Sequence, residues 1–523
     1  MTVSAPDRPE CSETTLAGTT TGREGFAPEL CAAAVWFVAC VLLVDMQVWH
    51  DVAYQLWIAR QLNHGTGLYT WIREINPPLW FWMAQPVDLL AGWIGWPAKR
   101  VMVAAVFLLI GISLALAARL VALWPKWQRL TLYSGMLVAT VFVSIGDFAQ
   151  REHLALIATI PYALLIAHRV EDKRAPSWIL ALAIGIFAAP MIALKHYLVL
   201  IPVMLEVWLI WRQRKAWHPI RPETVALVVG AIGYAGAILV FAPNYLTDIV
   251  PVLSQFYGDF RMPLPIILVN QMNLMLAVSA FYFWHFRHEL PPAALSALIL
   301  AAALTATYYI QFKGWGYHVS PVVACLLLAL CLHLARRSSS SPLRWTEITM
   351  ALLMVGTGVL PQTFSGPYKN DFAQAADQLF ASLQPGQTAI MFTTKAARPW
   401  AAMEEKHLRW PSRYPMFWMM QSVSTRHAAG LPIEGPLHNF IARVRIETVE
   451  DLTCNPPDLL INDHDSVNED GFDMLALFRE EPRFAALMQS YAVKETLGPF
   501  TLYQRIAPLP APASDCMDIT IAR

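Results

Sequence analysis

Charged side chains are scarce. Asp, Glu, Lys and Arg make up 15% of the 523 residues, against about 25% in a typical soluble domain. So little charge excludes a chain that is solvated along its whole length. Neither sign is in excess, with 38 basic and 38 acidic residues, so there is no basic footprint for nucleic acid. The seven cysteines have no metal-ligand spacing. Cys31, Cys40, Cys325 and Cys331 lie in apolar runs, where cysteine behaves as a small hydrophobe. Cys454 and Cys516 lie in a polar stretch, where a disulfide in an oxidising compartment and two free thiols are both open readings. The N-terminal stretch is not expected to act as a cleavable signal peptide, because it is polar and precedes a full-length apolar segment. Residues 1–28 read as a disordered cytoplasmic tail. No internal repeat is visible.

What is present is apolar length. Runs of roughly 16–22 residues, enough to cross a hydrocarbon core, recur from Ala32 to Leu360. They predict about eleven transmembrane helices, over 29–48, 101–123, 130–146, 152–168, 177–193, 196–211, 224–243, 265–284, 292–310, 318–335 and 345–362. The expected fold is an α-helical polytopic membrane protein over 29–362, followed by a small extracytoplasmic α/β domain over 363–523. In that domain 388–392, 458–461 and 500–503 read as strands, and 371–383 and 473–490 as helices.

Lys and Arg set the orientation. Arg119, Lys126 and Arg129 share one loop; Arg169, Lys173 and Arg174 the next of that set; Arg212, Arg214, Lys215 and Arg221 a third. Arg287, then Arg336, Arg337 and Arg344, complete it. The alternate loops carry isolated cations, with Lys99 and Arg100 a mild exception. The first set is therefore expected in the cytoplasm, with the C-terminal domain outside. In the outer loop 49–100, Val52, Leu56, Ala59 and Leu62 recur at helical spacing, which predicts an amphipathic helix lying in the membrane interface. A Pro77-Pro78 break and a Trp-rich stretch follow.

Polar residues gather at the outer ends of the spans, where charge at membrane depth points to a cavity or a reaction. Asp51 either starts the interfacial helix, favoured by the helix dipole, or serves as a general base taking the proton of an acceptor hydroxyl. Asp45 lies deeper. Glu74 pairs with Arg73 in solvent, or is held with Asn76 over a cavity mouth by the rigid double proline. Asp147, Gln150, Arg151, Glu152 and His153 form the densest cluster between two spans. Arg151 suits a phosphate oxygen, and Asp147 or Glu152 suits a substrate or a divalent cation, although the spacing compels no metal. Lys195 and His196, and Lys313 with Tyr317 and His318, interrupt apolar stretches. Each lysine either snorkels to the interface or joins Arg151 in a site for an anionic lipid headgroup.

The stretch from Asp51 through Tyr69 to Pro77-Pro78, followed by Gln150–His153, Lys195 and Lys313–Pro321, resembles C-type (GT-C) glycosyltransferases. These include the protein O-mannosyltransferases, the aminoarabinose transferases acting on lipid A, and related bacterial membrane proteins. The resemblance runs to about residue 340. It implies a polyprenyl-phosphate-linked sugar as donor, inverting transfer, and Asp51 as base. Many relatives carry Asp-Glu at the first motif, whereas Val52 follows Asp51 here. A second carboxylate then falls to Glu74, Asp147 or Glu152.

The expected activity is transfer of a sugar to an acceptor hydroxyl on a glycan, lipid or protein at the outer face of a bacterial inner membrane. Arg151, Lys195 and Lys313 are expected to hold the donor phosphate. Tyr69, Asn76, Gln150, His153, His196, Tyr317 and His318 are expected to contact substrate. A lipid-linked saccharide transporter would place its charges nearer the midplane, in paired halves. A non-catalytic envelope-polysaccharide assembly protein would leave the charged cluster without a purpose.

Overall fold

The computed structural model describes residues 26–171, 176–338, 344–369, 372–417, 419–465, 472–509 and 516. Residues 1–25 of the expected tail, and Lys173 and Arg174, lie outside them. A backbone surrounded by lipid must satisfy its own hydrogen bonds, so apolar segments become helices. The bundle runs through α1 Ala27–Leu43, α2 His50–Asn63, α3 Leu79–Ile94, α4 Ala98–Leu120, α5 Lys126–Leu137, α6 Arg151–Glu171, α7 Trp178–Ala193 and α8 Leu200–Gln213. It continues with α9 Pro222–Phe241, α10 Val250–Phe256, α11 Leu264–Leu268, α12 Gln271–His285, α13 Pro292–Gln311, α14 Ser320–Ser338, α15 Trp345–Met354 and α16 Leu360–Phe364. Each expected span contains helix. Among the described residues five helices are long and apolar enough to cross a membrane: Ala98–Leu120, Arg151–Glu171, Pro222–Phe241, Pro292–Gln311 and Gly316–Arg337.

The other apolar segments are shorter or interrupted. A π-helix, Val138–Val143, extends α5 and leads into a 3-10 turn at Ile145–Asp147. Further 3-10 turns occupy His196–Val199 and Gly316–His318. These breaks lie where the polar residues interrupt the apolar pattern. They turn those residues inward at the upper end of the bundle, the end on which the C-terminal domain rests.

Small residues let α7 and α9 approach closely, the usual way helices pack in lipid. A Cβ on Gly185 would lie 2.7 Å from Glu223 Cα, and one on Gly230 would lie 2.8 Å from Ala189 Cβ. At the lower end Glu223, with no exposed side-chain area, lies 2.7 Å from Arg169 Nε and 2.9 Å from Arg221 Nε. Many cations of that end are thus paired with acids.

The C-terminal part comprises α17 Ala373–Leu379, β1 Ala389–Phe392, α18 Ala397–Glu405, α19 Met420–Ala428, α20 Gly435–Cys454, β2 Leu459–Asp463, α21 Met474–Arg479, α22 Pro482–Met488, β3 Tyr491–Leu497 and β4 Phe500–Arg505. Its sheet has the order β1-β2-β4-β3. β1 and β2 are parallel; the other pairs are antiparallel. The helix expected over 473–490 is two helices, parted before Pro482, whose ring cannot continue a helix interior. Cys454 and Cys516 form a disulfide, with Cα atoms 5.2 Å apart.

This domain covers α2, which corrects the expectation of an interfacial amphipathic helix. Tyr54, Gln55, Trp57 and Gln61 are buried as well as Val52, Leu56 and Ala59. Trp400 of α18 packs against Tyr54 and Trp57, with centroids 6.2 and 5.3 Å apart. Arg60 Nη2 donates to Glu404 at 2.9 Å. The helical period showed only the face that meets the bundle; the other face, rich in aromatic and amide groups, meets the domain.

A second anchor is ionic. Arg413 sits over the Trp71 ring at 4.0 Å and lies 2.7 Å from Asp451. Arg73 donates to Glu447 at 2.6 Å. Arg73 is therefore paired with the C-terminal domain and not with its neighbour Glu74, which leaves Glu74 free to turn inward.

Candidate functional site

The upper ends of α2, α6 and α14 and the loops 64–78 and 194–199 converge. Arg151, Glu152 and His153 open α6 and are fully buried there. Lys195 precedes the 3-10 turn after α7, and its Nζ donates to Glu152 Oε1 at 2.8 Å. Tyr197 donates to the same oxygen at 2.7 Å, and His318 Nδ1 lies 3.6 Å from it. The Lys195 ammonium lies 5.4 Å from the Tyr197 ring centre and 5.2 Å from that of Tyr317. Burial lowers the Lys195 pKa to about 8, and the charge of Arg151 pushes the same way; Glu152 opposes both.

Arg151 Nη1 donates to Asn76 Oδ1, which ties α6 to the double-proline loop. Asn76 Nδ2 donates to Glu74 Oε1 at 2.7 Å and to Tyr54 Oη at 3.2 Å. Glu74 Oε1 also accepts from the backbone N–H groups of Ile75 and Asn76, at 2.8 and 2.9 Å. Burial nevertheless raises the Glu74 pKa above the ordinary carboxylate range. Tyr69, held at φ 65°, donates its hydroxyl to the Asn76 carbonyl and braces the same loop.

Asp51 is partly exposed in the first turn of α2, with His50 Nε2 3.5 Å away. Its charge reaches Arg151, Lys195, Tyr54 and Tyr317. It is thus a solvent-accessible carboxylate at the rim of a buried cationic site. Asp147 accepts from Ser320 Oγ, and burial raises its pKa to about 6. The Glu152 charge pushes it the same way as burial.

Three expected residues are held by other partners or face away. Lys313 Nζ donates to the Tyr257 carbonyl at 2.6 Å and lies over the Tyr257 and Phe260 rings at 3.9 and 5.1 Å. The charges acting on it are those of Arg261 and Asp259, so it does not complete a three-cation cluster with Arg151 and Lys195. The aromatic residues before α11 capture it first. His153 accepts from Ala149 N at 3.2 Å, and its Nε2 meets the Thr140 carbonyl at 2.6 Å. Both ring nitrogens are committed to the turn, so none is left for a substrate. His196 is exposed on the 3-10 turn, while Lys195 and Tyr197 face inward. Asp45 pairs with Arg100 at the surface.

Sequence reasoning missed Tyr54, Tyr197, Tyr257, Gln311 and Ser320. Tyr54 follows Asp51 by one helical turn and Tyr197 follows Lys195 by two residues, spacings that bring side chains to one site. Among the described residues no group of three or more His, Cys, Asp or Glu is arranged to hold a metal ion. Glu152 Oε1 is taken by Lys195 and Tyr197, and Asp147 accepts from Ser320.

Beside this site an apolar cavity of about 610 Å³ lies between α3, α7 and α9, lined by Leu79, Trp82, Ile186, Ala193, Gly230 and Tyr234 among others. Its Leu79 and Ala193 walls are three and two residues along the chain from Asn76 and Lys195.

No family model and no curated protein matches the sequence. Solved structures do match. ArnT from Cupriavidus metallidurans bound to undecaprenyl phosphate superposes with a TM-score of 0.54 at 13% identity, covering 93% of this chain and 100% of that one. The apo state of that protein gives 0.46 at 13% identity, over 91% and 97%. The apo Archaeoglobus fulgidus oligosaccharyltransferase gives 0.29 at 12% identity, over 84% and 70%. At such identity the first likeness establishes the fold alone: a polytopic helical membrane architecture like that of ArnT.

Proposed function

We propose that the protein is a GT-C-type glycosyltransferase, which moves a sugar from a polyprenyl-phosphate donor to an acceptor hydroxyl at the outer face of the inner membrane. The observation that carries this reading is the juxtaposition of Arg151 and Lys195, both buried, with the partly exposed Asp51 and an apolar cavity. An amphiphile with a phosphate and an isoprenoid tail fits both parts. Undecaprenyl phosphate is the ligand of the ArnT structure that shares the fold.

The donor phosphodiester lies against Arg151 and Lys195, which match its charge. The acceptor hydroxyl reaches the anomeric carbon from the Asp51 side. As its oxygen bonds to that carbon, its proton passes to the Asp51 carboxylate. The bond from the anomeric carbon to the phosphate oxygen breaks, and its electron pair leaves with the polyprenyl phosphate. In-line displacement inverts the configuration. Positioning and charge matching supply most of the catalysis. Glu74 and Asn76 hold the Arg151 guanidinium in place; Glu152 does the same for Lys195. The acceptor is a glycan, lipid or protein that approaches past the C-terminal domain.

The Cys454–Cys516 disulfide supports an oxidising, periplasmic side for that domain. The distribution of Lys and Arg supports the same orientation, with the N-terminus cytoplasmic.

The Asp51→Asn variant keeps the shape and removes the base. Incorporation of labelled sugar from a polyprenyl-phosphate donor into membrane acceptors should fall by about 10²-fold or more, at normal expression. Near-normal transfer would sink the assignment.

A further inference from the structure

Several polar atoms next to the cationic pair are buried without a partner. His318 Nε2, Gln311 Oε1 and Glu152 Oε2 are three of them. They belong to one contiguous chain: Gln311 Nε2 lies 3.3 Å from His318 Nδ1, which lies 3.6 Å from Glu152 Oε1. Gln150, two residues before Glu152, is 1% exposed, and both polar atoms of its amide are unpaired. An orphaned buried polar group is costly, and native structures keep few of them. The three in the Gln311–His318–Glu152 chain mark a position that a ligand fills, and Gln150 stands in the turn that leads to Glu152.

The roles of these atoms are chemically defined. With the Gln311 amide N–H as donor to His318 Nδ1, the imidazole carries its proton on Nε2. Nε2–H is then an unused donor. Gln311 Oε1 and Glu152 Oε2 are unused acceptors, and Gln150 offers one more of each kind. This alternation of donors and acceptors matches hydroxyl groups, which both give and take a hydrogen bond. The charges nearby are already matched. Glu152 is paired with Lys195, Asp147 accepts from Ser320, and Glu74 is held by Asn76 and two backbone N–H groups. Of the carboxylates described at the site, Asp51 is given to the acceptor hydroxyl and the charge of Glu152 is matched by Lys195 although its Oε2 is open, so neither is set aside for an ammonium group on the sugar, and Arg151 and Lys195 are taken up by the phosphate. Trp315 stacks on His318, with ring planes 16° apart, and offers an apolar face of the kind sugar rings pack against.

We propose that Gln150, Gln311 and His318 determine donor specificity, and that they select a neutral, hydroxyl-bearing sugar over an amino or acidic sugar. This rests on the glycosyltransferase reading above. Three probes separate the two claims: a bare polyprenyl phosphate, the same lipid carrying a neutral hexose, and the same lipid carrying an amino sugar. Their affinities are measured by fluorescence competition on the full-length purified protein. The hexose lipid should bind about tenfold more tightly than the other two. Gln311→Met, close in shape and without an amide, should abolish most of that advantage and leave the bare lipid unchanged. Gln150→Met is a second variant that does not depend on the fold tolerating the first. A bare lipid that binds with no gain from hexose, a preference for the amino sugar, or equal loss of all three probes in both variants overturns the specificity claim. Failure of every polyprenyl lipid to bind overturns the glycosyltransferase reading, and this inference with it.

Discussion

Glu152 lies beside the groups proposed to react, and the role argued for it is to hold a neighbour's charge. Its Oε1 is 2.8 Å from Lys195 Nζ, with side chains 2% and 10% exposed. Removing one partner of a buried pair costs about 3–5 kcal/mol. In Glu152→Gln the amide oxygen keeps the hydrogen bonds and the charge is lost. Asp51 remains within reach, so roughly half of that cost, about 2 kcal/mol, should fall on protonated Lys195. At 1.36 kcal/mol per pKa unit this lowers its pKa by about 1.5 units, from about 8 in the native protein. Lys195 carries its charge below its pKa and loses it as pH rises through that value. Binding of a polyprenyl phosphodiester, which does not itself titrate between pH 5.5 and 9, should therefore hold in the native protein up to about pH 8. In the variant it should be lost about 1.5 units lower, with near-native affinity recovered at about pH 6. Isothermal calorimetry on the detergent-solubilised protein reads the profile. Coincident profiles, or a loss of affinity that acid does not restore, would refute the role given to Glu152.

Two further variants test the packing. Gly185→Ala forces the α9 backbone away from α7, because the new Cβ meets Glu223 Cα at 2.7 Å; a loss of about 1–3 kcal/mol is expected as a lower melting temperature. Gly233→Ala, which meets nothing within 4 Å, should be neutral or slightly stabilising, and equal behaviour of the two would contradict the close α7–α9 contact. Arg413→Met leaves Asp451, a side chain with no exposed area, without its guanidinium; about 3–5 kcal/mol should be lost, read as faster proteolysis between the bundle and the C-terminal domain, and unchanged protection would argue against that anchor.

The membrane part was largely legible because lipid imposes one rule on every apolar run. Where the rule has no competitor, as at Pro292–Gln311, the expected 292–310 and the observed helix agree within a residue. The site was legible as a set of candidates but not as an assembly. Arg151, Lys195 and Lys313 look alike in sequence, each a lone cation at a span end. Only packing reveals that Tyr257 and Phe260 take Lys313 and that Glu152 takes Lys195. His153 looked functional for the same reason that makes it structural: a polar ring entering the bundle must find partners, and the Ala149 and Thr140 backbone supplies them. α2 misled because its periodic Val52, Leu56 and Ala59 face said nothing of Trp400, which arrives from the far end of the chain to cover the opposite face. In the C-terminal part β1, β2 and β4 carry apolar runs, whereas β3 is an edge strand with an exposed Lys494-Glu495 stretch and gave no such signal.

The central claim is that the buried cations at the upper end hold a polyprenyl-phosphate sugar. Mass spectrometry of lipids that co-purify with the Asp51→Asn protein, where turnover is expected to be blocked, tests it most directly. The account predicts a polyprenyl phosphate bearing a sugar, lost when Arg151 and Lys195 are both replaced by Met. Recovery of bulk phospholipid alone, in amounts indifferent to those replacements, would contradict it.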